Sequence, residues 1–138
     1  MKLTVMLYFQ GNCAEALDFY GKAFDTSPNH IVTYGDAPTD PDNPLPEGFA
    51  DKIIHARMDM AGLQVMFSDG FPGWEANIGN HMSMTAVAAD AAEAQQIFEA
   101  LQDGATIHMP LGKTFFSEAY GMLTDKFGVM WNISVMDE

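Results

Sequence analysis

The chain has a single cysteine, Cys13, which excludes an intrachain disulfide; a lone thiol outside any motif is read as structural. Basic side chains are scarce, six against nineteen acidic, and the net charge is −13. Such a balance repels phosphate backbones and anionic lipid, so neither nucleic acid nor a membrane is expected as a partner. No apolar run approaches the roughly 18 residues that span a bilayer, and Met1 to Val5 leads into a strand pattern, not into a signal peptide. A cytoplasmic location is the expectation that follows. The four histidines, His30, His55, His81 and His108, show no H-x-x-x-H, H-x-H or H-E-x-x-H spacing that would set two imidazoles on one metal. Nor does a G-x-G-x-x-G turn follow a strand, which argues against a bound nucleotide cofactor. Ser68 lacks the G-x-S-x-G setting of a nucleophile and reads as a strand end before a turn.

What is present is a core. Of 138 residues, 48% are hydrophobic, with ten Phe, four Tyr and two Trp, enough for one folded domain over residues 1–138 without disulfides. Eleven methionines suit adaptable packing or a cup that accepts several shapes.

The pattern is duplicated. Asn12-Cys13-Ala14-Glu15-Ala16-Leu17 reads as a helix start, with Asn12 as cap and Glu15 reaching back, and Asp90-Ala91-Ala92-Glu93-Ala94 repeats that grammar 78 residues later. Leu17, Tyr20 and Phe24 in the first helix, and Ala94, Ile97, Phe98 and Leu101 in the second, have core-facing spacing. Strand patterns precede each helix, over 3–9 and 81–87. Three more follow each: 30–34, 52–60 and 63–68, then 105–109, 114–123 and 129–136. The order is βαβββ twice, an α+β arrangement with module 1 at about 1–70 and module 2 at about 80–138. Gly62-Leu63 and Gly128-Val129 open the last strand of each half, 66 residues apart. The shorter offset reflects an insertion, Gly35 to Gly48, with four prolines and four acids in fourteen residues; it reads as a loop, either a lid or a solvated excursion.

Period-two alternation places His55, Arg57 and Asp59 on one face, read as a solvent-facing polar surface. It likewise places Phe116, Glu118 and Tyr120 together, where Glu118 is the candidate general base if burial raises its pKa, or else a solvent-facing carboxylate.

Three stretches carry a family resemblance: Gly11-Asn12-Cys13-Ala14-Glu15-Ala16 with Phe19-Tyr20; Met66-Phe67-Ser68-Asp69; and Thr114-Phe115-Phe116 with Tyr120-Gly121-Met122-Leu123-Thr124-Asp125-Lys126-Phe127-Gly128-Val129-Met130-Trp131. With the duplicated order, they make the whole chain resemble the PhnB-like branch of the vicinal-oxygen-chelate (glyoxalase and bleomycin-resistance) superfamily. The resemblance implies two modules curling mixed sheets into a cup, often completed in a homodimer, that holds a divalent metal or an elongated ligand. The metal positions of that superfamily fall by similarity on Val5, Met66, Ser83 and Asn132, none of them a good ligand for a catalytic divalent cation. Two expectations result. One is a metal-independent protein that binds or sequesters a small organic ligand in a cup shaped by Met66, Ser83, Phe116, Tyr120 and Asn132, with no cofactor. The other is a metal-dependent lyase, isomerase or dioxygenase, with a divalent ion on His81 and Glu118 as the acid/base. Relatives described as ubiquinone-pathway methyltransferases would be expected to carry a glycine-rich turn in a larger doubly wound domain, and this chain has neither.

Overall fold

The computed structural model describes residues 1–136 and divides them into two compact units, Met1–Asn77 and a second that starts at Ile78. The first unit runs β1 (Val5–Tyr8), α1 (Cys13–Ala23), β2 (His30–Thr33), β3 (Ile53–Met60) and β4 (Leu63–Ser68). The second runs β5 (Met84–Ala88), α2 (Ala91–Leu101), β6 (Thr106–Gly112), β7 (Tyr120–Thr124) and β8 (Met130–Val135). Their sheets have one topology, in the orders β1-β4-β3-β2 and β5-β8-β7-β6, with the first strand parallel to the last and the other pairs antiparallel. The α+β reading and the duplicated βαβββ order therefore hold.

In each unit the helix covers one face of its sheet, and alternation decides which side chains go under it. Ala16, Leu17 and Tyr20 of α1 are buried, as are Ala56 and Met58 of β3 and Val65 and Phe67 of β4. In the second unit the buried set is Ala94, Phe98 and Leu101 with Leu123, Trp131 and Ile133. Each large side chain so buried contributes about 1.5–3 kcal/mol. Gly121 permits α2 to approach β7, since a Cβ there would lie 2.9 Å from Phe98 and 3.1 Å from the Leu111 backbone. The hairpins turn at Gly62 and Gly128, whose φ angles of +91° and +89° favour glycine.

Three expectations change. Asn12 sits at the N-cap of α1, but its side chain does not cap; its Oδ1 accepts from Gln10 N at 3.3 Å. The entry to the helix is instead held by Asp69, whose Oδ1 accepts from Gly11 N (2.8 Å) and Cys13 N (3.0 Å) and whose Oδ2 accepts from Ile53 N (2.9 Å). In α2 the expected grammar is present: Asp90 accepts from Glu93 N at 2.8 Å, and Glu93 accepts from Ala89 N at 2.6 Å. The strand expected over 114–123 begins only at Tyr120, because Thr114 Oγ1 draws in Phe116 N and Ser117 N, and Ser117 turns its own hydroxyl to the Ala119 carbonyl. His81 precedes β5 and is not part of a strand.

The insertion forms one 3-10 turn at Tyr34–Asp36 and is otherwise irregular. With Tyr34 and Ala50 it encloses a cavity of about 530 Å³ in the first unit.

Candidate functional site

The face of the second sheet turned away from α2 carries a cavity of about 310 Å³, lined by Thr85, Phe116, Tyr120, Asn132, Ser134 and Met136. Strand register explains this set. Thr85 pairs with Asn132 and Tyr120 with Ser134, so their side chains stand on the face opposite buried Trp131 and Ile133. Phe116 joins from the irregular segment and meets Tyr120 edge-on, with ring centroids 5.0 Å apart. A polar chain runs along one wall. Tyr120 Oη donates to Asn132 Oδ1 (3.1 Å), and Asn132 Nδ2 donates to Ser83 Oγ (2.8 Å), with Thr85 Oγ1 at 3.5 Å. The result is a lining in which two aromatic rings adjoin a carboxamide and hydroxyls, suited to holding an organic molecule by apolar area and a few hydrogen bonds.

Four of the sequence-derived cup residues, Ser83, Phe116, Tyr120 and Asn132, are thus brought together. Met66 stands on the open face of the first sheet, where it pairs with Met6 and Arg57. Thr85, Ser134 and Met136 were missed; the alternation through Ser83 and Asn132 was a signal for the first two. Glu118 is exposed and does not line the cavity, since the segment that was to set it beside Phe116 and Tyr120 is not a strand. His81 is exposed as well.

On the first sheet, His30, His55, Arg57 and Met66 share the face away from α1. Burial, then the neighbouring charges of His30 and Arg57, lower the His55 pKa from its ordinary value. Cys13, buried in α1, has its thiol pKa pushed far up by burial and then by the Asp69 charge, which keeps it protonated.

The superfamily's metal does not fit these residues. Val5 pairs with Val65 and shares its face, so it lies on the opposite side of the sheet from Met66; a one-residue difference in register reverses every side chain. Ser83 and Asn132 do meet, but as neutral donors and acceptors already bonded to one another. Thioether, hydroxyl and amide together offer no charge to a divalent cation. Among the described residues no three His, Cys, Asp or Glu side chains are grouped to hold an ion.

A four-stranded mixed sheet of this order, repeated in the chain with a helix on one face of each, defines a vicinal-oxygen-chelate protein of the glyoxalase and bleomycin-resistance type. The chain belongs to its PhnB-like branch: the family model described as 3-demethylubiquinone-9 3-methyltransferase matches residues 1–134. It is 30% identical to Protein YjdN of Escherichia coli, covering all of this chain and 97% of that protein. Protein PA1353 from Pseudomonas aeruginosa superposes with a TM-score of 0.86 at 32% identity, covering 100% of this chain and 99% of the other. A PhnB protein from Bacillus cereus does so with a TM-score of 0.80 at 29% identity over 98% and 99%. A glyoxylase/bleomycin resistance protein/dioxygenase domain from Frankia shares the fold, with a TM-score of 0.67 at 13% identity over 100% of this chain and 93% of the domain.

Proposed function

We propose that the chain binds or sequesters a small organic molecule without a metal, and that the cavity of the second unit is where it does so. The observation that carries this reading is the hydrogen-bonded chain from Tyr120 through Asn132, both in the cavity lining, to Ser83 beyond it. The side chain at a former metal position is tied at 3.1 Å and 2.8 Å into a neutral hydrogen-bonded chain beside two aromatic rings. Such a lining recognises shape and a hydroxyl or carbonyl group; it supplies no Lewis acid and no poised base. The methyltransferase description of the family does not extend to this reading, because neither sheet is the doubly wound parallel sheet that binds an adenosyl cofactor behind a glycine-rich turn. A homodimer in the cytoplasm, treated as one domain over 1–138, completes the proposal.

The test is calorimetric titration of the purified chain with Ni²⁺, Zn²⁺, Mn²⁺ and Fe²⁺, with metal analysis alongside. Weak or non-stoichiometric heats are expected for all four. Tight one-to-one binding that disappears in His81→Ala would transfer the assignment to a metal-dependent lyase, isomerase or dioxygenase.

A further inference from the structure

Arg57 is the single arginine of a chain with nineteen acidic residues, and its buried Nε has no hydrogen-bond partner. Buried donors are almost always satisfied, and guanidinium groups above all, since they carry charge at every ordinary pH. The setting makes the missing partner informative. Arg57 lies on β3, flanked by β4 and β2, and its cross-strand neighbours are Met66 and His30. Paired residues share a face, as do residues two apart in a strand, so His55 and Asp59 stand there too. The His30 and His55 rings are 5.9 Å apart. Asp59, the acid on this face, interacts with Asn29 Nδ2 at 3.4 Å and forms no ion pair with Arg57. Met6, Val32 and Gln64 share the face, with Tyr8 and Ser68 further along β1 and β4. Three cation-capable side chains are therefore grouped on one open sheet face of a strongly acidic protein.

We propose that Arg57, with His30 and His55, holds the oxyanion group of a small organic ligand, a carboxylate or a phosphate-type group, on the first sheet. The guanidinium presents Nε–H and an Nη–H as a parallel pair, the geometry that takes two oxygens of one anion at once. The orphaned Nε is one of those two donors, and because it is covered, presenting it to the anion requires the Arg57 side chain to turn. His55 is held toward its neutral form by burial and then by repulsion from His30 and Arg57, and an arriving anion relieves part of that repulsion. Binding therefore takes up a proton and strengthens as the pH falls from 8 to 6, with Asp59 as the opposing charge on the same face. The inference is independent of the cavity in the second unit, which is probed by a neutral molecule.

The single arginine makes the test direct. In the uniformly ¹⁵N-labelled full chain one arginine Nε–H cross-peak exists, and it is followed while benzoate, phenyl phosphate or, as neutral control, benzyl alcohol is added. Saturable movement with an anion and none with benzyl alcohol is expected, and the anion that binds more tightly identifies the group as carboxylate or phosphate. Arg57→Gln weakens that binding roughly tenfold or more, and Arg57→Lys, which keeps the charge without the fork, weakens it by a smaller factor. Benzoate, whose own charge is constant from pH 8 to 6, binds more tightly at the lower pH, and His30→Gln with His55→Gln removes that gain. A cross-peak unmoved by either anion at about 20 mM, or anion binding unchanged in Arg57→Gln, would overturn the proposal. The first of these outcomes needs no variant to fold.

Discussion

Tyr120 and Asn132 are joined by a hydrogen bond of 3.1 Å from the phenol to the amide oxygen, while the amide nitrogen of Asn132 donates to Ser83 at 2.8 Å. Both ends of the carboxamide are therefore committed, and the Tyr120 ring is fixed against Phe116. The position is thereby tied into the lining of the proposed binding cavity.

Tyr120→Phe removes that phenol and leaves the amide oxygen with one partner fewer. A loss of about 1 kcal/mol of stability is expected, the usual magnitude for one neutral hydrogen bond, and urea denaturation measures it. An unchanged midpoint would mean that the bond does not form in solution.

Asp69 is 5% exposed and receives three backbone N–H groups, from Gly11, Cys13 and Ile53. Asp69→Ala orphans all three and opens the junction between β1, α1 and β3. The expected cost is about 3 kcal/mol or more, read as a lowered urea midpoint with the m-value preserved. Asp69→Asn recovers only part of it, because an amide oxygen is a weaker acceptor than a carboxylate.

Cys13 is fully buried, and burial together with the Asp69 charge holds its thiol protonated. At pH 8 iodoacetamide is expected to modify the folded chain roughly a hundredfold more slowly than the chain in guanidinium, since the thiolate is the nucleophile and must first be exposed. Equal rates would contradict the packing of α1.

Much of this architecture was legible because it rests on short-range pattern. The two helices, the hairpin glycines Gly62 and Gly128 and the βαβββ order are fixed by alternation, helical spacing and turn chemistry within a few residues of one another. Contacts between distant segments were not legible. Asn12 has every sequence mark of a cap, yet a carboxylate 57 residues further on takes its place. The segment before Tyr120 alternates like a strand, but Thr114 and Ser117 bond to their own backbone first. For the site, the family resemblance led to Ser83 and Asn132, which are bonded to each other, and the aromatic motif led to Phe116 and Tyr120. Val5, placed by the same resemblance, lies on the opposite face of the sheet from Met66, since it pairs with Val65. Arg57 shares its face with His55 and Asp59 as the alternation indicates, but nothing local to β3 shows that its Nε is covered.

The pKa of His55 is lowered in the folded chain by burial first, then by His30 and Arg57, while in the unfolded chain it titrates near the usual 6.5. As the pH falls through about 6.5, the unfolded chain takes a proton that the folded chain resists. The contribution of His55 to stability is thus complete above that pH and is lost below it. Between pH 7.5 and 5.5 the urea midpoint is expected to fall, and to fall less in His55→Gln. Identical pH dependence in the two proteins would remove His55 from the charged face.

The most direct measurement for the account as a whole is a fluorescence titration of the chain with N-phenyl-1-naphthylamine, a neutral apolar probe, in excess EDTA. Saturable binding in EDTA is expected, weakened several-fold by Phe116→Ser and by Asn132→Ala, each checked for an intact fold by circular dichroism. Binding that appears only when a divalent metal is restored, or that ignores both substitutions, would contradict a metal-independent cavity walled by Phe116, Tyr120 and Asn132.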